Sequence, residues 1–383
     1  MGGFRSDDVL TGTFPLFHVA GTIACGLAAF MAGMEVVVMS PGGLRTPAMV
    51  QGFWRLVAQY KATLVGGVPT SLGAVLEVAL EGADIGAVRA GITGAALLPP
   101  AVGERFRQVT GRKLFEVYGM TEASGLIAYD PFGGTGSAGS VGWALPYTRV
   151  EVRRLGADGR LGDACSSGEV GVIGVRGPHV SPGYRNPAHD AGIFDNGMLN
   201  TGDLGYTDEQ GRLYIAGRSK DLIIRSGHNI DPVMIENAMA EHPAVALAAA
   251  VGMPDAYAGE LPVCYLALRP DAQVSDAELH AHAQQRIGER PAWPRHFHIV
   301  EAIPMTSVGK IFKPELRCDA AARMVRHVLR EQFQLANAQV RVSAGGPRGM
   351  RVSVVLPAVS QSIVPAVQRT LDAYLFESVV ELG

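Results

Sequence analysis

The segment Tyr118-Gly119-Met120-Thr121-Glu122 places a hydroxyl and a hard carboxylate oxygen just after a glycine that lets backbone come close to a ligand. It follows residues 114–117, which read as a strand, so its side chains are expected at the carboxyl end of a sheet, where open α/β sheets bind ligands. Thr121 suits a phosphate oxygen and Glu122 an Mg²⁺ ion; taken alone, the segment also reads as an ordinary turn. In Asn200-Thr201-Gly202-Asp203-Leu204 a carboxylate follows a tight glycine, and its two oxygens could accept both hydroxyls of a ribose. Gly217-Arg218-Ser219-Lys220-Asp221 and the run 223–230 set cations beside glycine, as phosphate contacts do and as solvated basic turns do equally. Pro304-Met305-Thr306-Ser307-Val308-Gly309-Lys310-Ile311 is not a Walker loop, because the first glycine is missing and no serine or threonine follows Lys310. What remains is one lysine on a Ser-Val-Gly turn, in a chain of five lysines and 28 arginines. A compact cation that enters a site for one step has this form.

These segments need elements to hold them. Up to about residue 145 helices alternate with short β-branched runs at 36–39, 63–65, 88–92 and 114–117, with a helix expected over 48–60. That pattern predicts an α/β domain with a largely parallel sheet. The apolar stretch 19–34 carries no charge but is interrupted by Gly21, Gly26 and Gly33 and falls short of the ~20 residues that span a bilayer, so it reads as a buried helix. From 141 to 215 short strands alternate with turns at Asp158-Gly159, Pro182-Gly183, Asn196-Gly197 and 209–211, an antiparallel β subdomain in which no helix is needed. After Gly217 a helix over 232–241, strands at 245–251 and 263–268, a helix over 276–287 and a strand near 297–300 predict a compact α+β domain. Beyond about 319, strands at 339–343, 351–356 and 378–381 with two helices read as a small appended α/β module without chemistry of its own.

With 383 residues, 48% of them hydrophobic and 18% charged, the chain is expected to be globular, with two or three packed domains. A net charge of −3 gives no general attraction for nucleic acid or an anionic membrane, which points to a small-molecule partner. Cys25, Cys165, Cys264 and Cys318 lie too far apart in sequence for a zinc or redox motif, and a reducing cytoplasm is expected. Residues 1–10 lack the apolar core and small-residue cleavage site of a secretory signal.

Taken in order, the segment 15–21, residues 118–122, 139–146, the Asp203 segment, the run 217–236 and the Lys310 segment closely resemble the successive core motifs of the AMP-forming acyl-CoA synthetases, which are adenylate-forming enzymes. The resemblance covers roughly residues 10–317, and the wording Ser226-Gly227-His228-Asn229-Ile230-Asp231-Pro232 is similar to a fatty acyl-CoA ligase-like subgroup. It implies the adenylate-forming fold, lacking part of its first subdomain: parallel-sheet residues 1–145, a β subdomain at 146–216, a mobile C-terminal α+β domain at 217–317, and the extension 318–383. It further implies a reaction. A carboxylate, first of all a fatty acid, attacks the α-phosphate of ATP with Mg²⁺ present; pyrophosphate leaves, and the thiol of CoA then displaces AMP to give a thioester. By motif match Tyr118 lies against adenine and Gly94-Ala95-Ala96-Leu97 forms the adenine-side strand end. Gly119 and Thr121 adjoin the nucleotide, with Thr121 at the α-phosphate; Glu122 holds Mg²⁺; Asp203 takes the ribose, and Arg218 sits near ribose and phosphate. Lys310 bridges carboxylate and α-phosphate. Lys220 is the hinge, Gly227 approaches the pantetheine tunnel without a side chain, and His18 stands by the acyl pocket and tunnel mouth. Acyl specificity is placed loosely around His18, Gly66 to Thr70 and Gly94 to Leu98.

Two departures stand out. Met234 replaces a glutamate of the family pattern, on a helix surface. The Ser/Thr/Gly-rich loop that grips the β- and γ-phosphates is expected upstream of His18, where only seventeen residues precede it; Gly133 to Ser137 has no lysine and reads as a surface loop. The alternative to an active ligase is therefore a truncated, catalytically inactive remnant that retains nucleotide or CoA binding. A peptide-synthetase module would need a carrier domain downstream, and none is evident. A homo-oligomer is compatible with the sequence.

Overall fold

The computed structural model describes residues 3–44, 46–132, 137–156, 160–345 and 349–383. The expected turn at Asp158-Gly159, most of the loop 133–137, and Gly346 lie outside them. The chain divides into two compact units, the first comprising residues 1–220 with 307–310 and the second 221–306 with 311–383.

The first unit is built on one continuous sheet. β1 (Val9–Gly12) lies between β2 (Glu35–Val38) and β3 (Leu64–Gly67), and β4 (Ala90–Gly94) and β5 (Leu114–Met120) extend the parallel run. The sequence reading did not anticipate β1. Beyond β5 every neighbour is antiparallel, through β6 (Gly125–Tyr129), β7 (Ser140–Ala144), β8 (Arg149–Leu155), β9 (Leu161–Ala164), β10 (Gly171–Arg176), β11 (Phe194–Asp195), β12 (Met198–Thr207) and β13 (Leu213–Arg218). The spatial order is β2-β1-β3-β4-β5-β6-β7-β13-β12-β10-β8-β9, with β11 on β12. Among the described residues of the β part, one 3₁₀ turn, Pro187–His189, interrupts the strands.

Alternation along the strands makes two cores. Leu64 and Phe115 face one side with Leu10, Cys25 and Ala29, while Val65 and Leu114 face the other with Trp54, Leu72 and Phe106. The helices covering the second side are α2 (Pro47–Gln51), α3 (Phe53–Gln59), α4 (Pro69–Leu76) and α5 (Pro100–Thr110), preceded in the chain by α1 (Ala28–Met31). Gly52, with φ −88° and ψ 0°, divides the expected single helix over 48–60 into α2 and α3. α5 stops at Gly111, whose φ of +69° lets its N–H cap the Arg107 carbonyl. The expectation of a buried helix over 19–34 needs correction. A wide-turned helix, Ala20–Leu27, runs into α1 and buries only one stripe, whereas Leu27, Phe30 and Met31 are 52%, 62% and 85% exposed. Its buried residues are small (Gly21, Cys25, Gly26, Ala28, Ala29), and Ile23 lies half-buried beside Gly125, whereas Leu27, Phe30 and Met31 are exposed.

The second unit centres on a sheet ordered β15-β14-β17-β16, in which β14 is Ile223–Arg225, β15 His228–Ile230, β16 Val245–Asp255 and β17 Gly259–Leu268; β18 (His296–Ile299) pairs with β17 in parallel. Ala248, Ala250, Cys264 and Leu266 pack against α6 (Pro232–Ala240) and α7 (Asp276–Arg286). Their alternates Ala249, Val251, Val263 and Tyr265 pack against α8 (Lys313–Phe333). α8 runs unbroken past residue 318, and the same core takes in β19 (Gln339–Ala344), β20 (Met350–Leu356), α9 (Val364–Leu371) and β21 (Glu377–Leu382). α6 and α7 begin at Asp231 and Ser275, whose side chains accept from the Val233 and Glu278 amides as N-caps. No helix of the described residues is long and apolar enough to cross a membrane.

Candidate active site

β5 delivers the first group of residues. A Cβ on Gly119 would sit 1.9 Å from the Gly125 carbonyl oxygen, so β5 and β6 can close on each other here only through glycine. Beyond Met120 the chain makes one 3₁₀ turn, Thr121–Ala123, ended by Ser124 in the left-handed region and Gly125 at φ +121°. That turn leaves Thr121 exposed and Glu122 half-buried at the strand's carboxyl end. At the end of the neighbouring β4, Gly94 has its Cβ position blocked by Val117, and Ala95 takes φ +71°, a left-handed geometry that small residues tolerate best. Ala95 packs against the core formed by Leu10, Leu64, Ile92 and Phe115, immediately after the end of β4.

β12 and β13 bring the second group. Asn200 accepts from the Gly202 amide, Thr201 accepts from the Asp203 amide while donating to Ile173 O, and Ser219 donates to Gly202 O at 2.9 Å. Asp203 pairs in register with Arg218. Its Oδ1 accepts from Arg218 Nε at 2.9 Å and its Oδ2 from the Tyr118 hydroxyl at 2.7 Å, so three motifs distant in sequence meet at one carboxylate. The Tyr118 ring is buried, which ties its position to the core of the β part rather than to a mobile surface. Burial pushes the Asp203 carboxyl up although Arg218 and Tyr118 oppose it, and burial followed by the Asp203 charge pushes the Tyr118 phenol up.

Residues 307–310 belong to this unit: Thr70 Oγ1 donates to Gly309 O at 2.7 Å, and Gly309 holds φ +80° against Val68. Lys310 is lowered from the ordinary lysine range by burial and then by the Arg218 cation, while Asp203 and Glu122 act the other way. Its ammonium is thus electrically coupled to both carboxylates. His18 is held low by burial and by Lys310, and its Nδ1 accepts from the Ala20 amide at 3.2 Å, which leaves the proton of the neutral ring on Nε2. A cleft of about 10 Å³, room for roughly one water, is lined by Pro15, Gly67, Val68 and Val308 among others.

Two residues that the sequence reading did not single out enter the same neighbourhood. Tyr184 donates to Glu122 Oε1 at 2.5 Å, and the Ser181 amide donates to the Glu122 carbonyl at 2.7 Å. Glu116, buried on β5, accepts from the Leu98 amide at 3.1 Å, tying the segment after Gly94 to the sheet. Neither carries a local signal, since both pairings join residues 18 or more positions apart.

The long stretch of the first unit, residues 1–220, ends at Lys220. In the second, Gly227 follows Ser226 in the two-residue turn between β14 and β15, with φ of +50° at Ser226 and +80° at Gly227, the pair that a type I′ hairpin requires. No atom lies within 4 Å of a Cβ built on Gly227, so glycine there answers to backbone conformation and not to crowding by the described residues.

The AMP-binding enzyme family matches residues 1–185, and the AMP-binding enzyme C-terminal domain family matches residues 234–310. This chain belongs to the AMP-binding enzymes. Among curated relatives, it is 36% identical over 367 residues to a marinolic acid–CoA ligase of Pseudoalteromonas sp. (strain SANK 73390), covering 95% of this chain and 56% of the relative. It is 34% identical over 308 residues to a long-chain-fatty-acid–CoA ligase of Bacillus subtilis (strain 168), covering 80% and 53% respectively. Among solved structures, the ATP-bound MatB of Rhodopseudomonas palustris matches with a TM-score of 0.73 at 28% identity, over 86% of this chain and 62% of that one. The o-succinylbenzoate CoA synthetase MenE of Bacillus subtilis with ATP and magnesium matches with a TM-score of 0.67 at 30% identity, over 81% and 61%. The chain therefore has the adenylate-forming fold, and it spans about half the length of the curated relatives it matches. Glu122, half-buried at the carboxyl end of β5, presents a hard carboxylate oxygen, the donor type that Mg²⁺ takes.

Proposed function

We propose that the protein formed by this chain activates a carboxylic acid with ATP and passes the acyl group to CoA. The observation that carries this reading is the convergence of Tyr118 and Arg218 on the Asp203 carboxylate, with Lys310 coupled to Asp203, Arg218 and Glu122. In this reading Asp203 takes the ribose hydroxyls through its remaining lone pairs, with Arg218 at ribose and phosphate. Tyr118, Gly119 and the segment Gly94 to Ala96 flank the base, and Thr121 donates to the α-phosphate. Glu122 would hold Mg²⁺, which would neutralise phosphate charge. Lys310 positions the acid's carboxylate against phosphorus and favours the charge that accumulates there as the new P–O bond forms and the pyrophosphate bond breaks. In the second step the CoA sulfur bonds to the acyl carbon and AMP departs with the bond electrons. Lys220 serves as hinge, His18 as a neutral wall of the acyl pocket, and Gly227 as close backbone to the CoA arm. A fatty acid is the first substrate to test, since the Bacillus relative is a long-chain-fatty-acid–CoA ligase. Four cysteines without a disulfide suit a reducing compartment such as the cytoplasm.

Acid-dependent release of pyrophosphate from ATP tests this. Turnover is expected with a fatty acid, and Lys310→Ala is expected to lower it by about 10²- to 10³-fold while nucleotide still binds. Nucleotide binding without pyrophosphate release for any acid supports the binding-only alternative instead.

A further inference from the structure

Glu122 is gripped twice by one segment. Residues 181–190 form a strap whose own hydrogen bonds are dense: Ser181 Oγ donates to Gly183 O at 2.9 Å, the Tyr184 amide donates to Asp190 Oδ1 at 2.7 Å, and Asn186 caps the Pro187–His189 turn through the Ala188 amide. The Tyr184 ring stands edge-on to Phe194 at 5.6 Å and to His189 at 6.4 Å, which fixes where its hydroxyl can reach. From this strap the Ser181 amide holds the backbone of Glu122 and the Tyr184 hydroxyl holds its carboxylate. The second oxygen, Oε2, has no hydrogen-bond partner among the described residues, while the Glu122 charge is felt at Lys310. An isolated carboxylate rotates about its terminal torsion with little resistance, and a donor on one oxygen removes that freedom.

We propose that Tyr184 is a positioning residue for Glu122: its hydroxyl fixes Oε1 and so leaves Oε2 as the oxygen offered to the cation that accompanies ATP. This rests on the reading of Glu122 as the Mg²⁺ ligand. The strap then does for the cation what a hydrogen-bonded outer partner does for any metal-binding carboxylate, orienting the ligand before the metal arrives. The phenol is correspondingly pushed up to about 12, first by its bond to Glu122.

The test is calorimetric titration of the chain with ATP, once with Mg²⁺ and once with EDTA, for wild type, Tyr184→Phe and Glu122→Gln. The wild type is expected to bind ATP more tightly with Mg²⁺. Tyr184→Phe should shrink that gain by about tenfold, as loss of a hydrogen bond to a charged acceptor does, with affinity in EDTA and melting temperature unchanged. Glu122→Gln should abolish the gain. If Glu122→Gln abolishes it and Tyr184→Phe keeps it whole, the positioning role is wrong and the Glu122 reading stands. A full gain in Glu122→Gln, or none in wild type, removes both. Equal weakening of Tyr184→Phe with and without Mg²⁺ assigns the tyrosine a structural role only and overturns the proposal. As an independent readout, the Cζ resonance of ¹³C-labelled tyrosine that disappears in Tyr184→Phe must move in Glu122→Gln; if it stays, the hydrogen bond is absent in solution and the proposal fails.

Discussion

Glu116 shows how a side chain's surroundings set its chemistry. It lies in the middle of β5, 8% exposed, with the Leu98 amide donating to it and burial raising its carboxyl to about 7. Its folded value therefore stands above its unfolded one. Such a group contributes most below pH 4.5, and its contribution is lost as pH rises towards 7, because the folded state must then hold a buried charge. Glu116→Gln keeps an acceptor for Leu98 without that charge. The variant is expected to be more stable than wild type at pH 8, by on the order of 1–3 kcal/mol, with the advantage gone at pH 4. Urea midpoints at the two pH values check this, and an advantage that is equal at both would show that the carboxyl is not the cause. The neighbouring Tyr118, Asp203 and Arg218 illustrate what sequence can and cannot reveal. Motif order named all three, and the fold brings them together, yet their mutual hydrogen bonds follow from the β12–β13 register and the path of β5, which no single motif encodes.

At the scale of elements, α8 carries the second unit. Leu316, Ala320, Met324, Val325, Val328 and Leu329 recur at helical spacing and are all buried, joining the β16–β17 face to the three-stranded sheet at the carboxyl end of the chain. Leu329, 1% exposed, packs in the core that α8 shares with both sheets, so truncation removes buried apolar contact there. Leu329→Ala is expected to cost about 2–4 kcal/mol in that unit. Because the two units need not unfold together, calorimetry should move the transition of the second and leave ATP affinity, which the proposed function assigns to the first, unchanged. A single transition shifting as a whole, with weakened ATP binding, would contradict that assignment. Period made many of these elements legible in advance: the strands near 36–39, 63–65, 88–92 and 114–117, and in the second unit the helices over 232–241 and 276–287 with the strands near 245–251, 263–268 and 297–300. The hairpin β14–β15 with its I′ turn at Ser226-Gly227 escaped because strands of three residues give no usable alternation. β1 escaped because four residues with one polar neighbour give no usable alternation, and its strand character comes from pairing on both edges with β2 and β3. The helix break at Gly52 escaped because one glycine in a helical pattern is normally tolerated.

At the scale of the whole molecule, the deviation at residues 20–31 has a physical consequence. Leu27, Phe30 and Met31 sit at positions i, i+3 and i+4, so they form one stripe, and all three are more than half exposed. An apolar stripe carries no charge to keep it from other apolar surface, and contiguous patches of this kind bind dyes and other proteins. The composition gives no warning, since a run of glycine, alanine and large apolar residues reads equally as a buried helix, and only the fold shows that the buried positions are the small ones while Leu27, Phe30 and Met31 are left exposed. The chain as it stands is therefore expected to enhance the fluorescence of an apolar dye such as ANS in its native state. The double variant Phe30→Ser, Met31→Lys should remove most of that signal without lowering the melting temperature, because neither side chain contributes to a core. If the double variant instead loses several degrees, these side chains are buried against something in solution, and the exposed stripe is not a property of the folded chain.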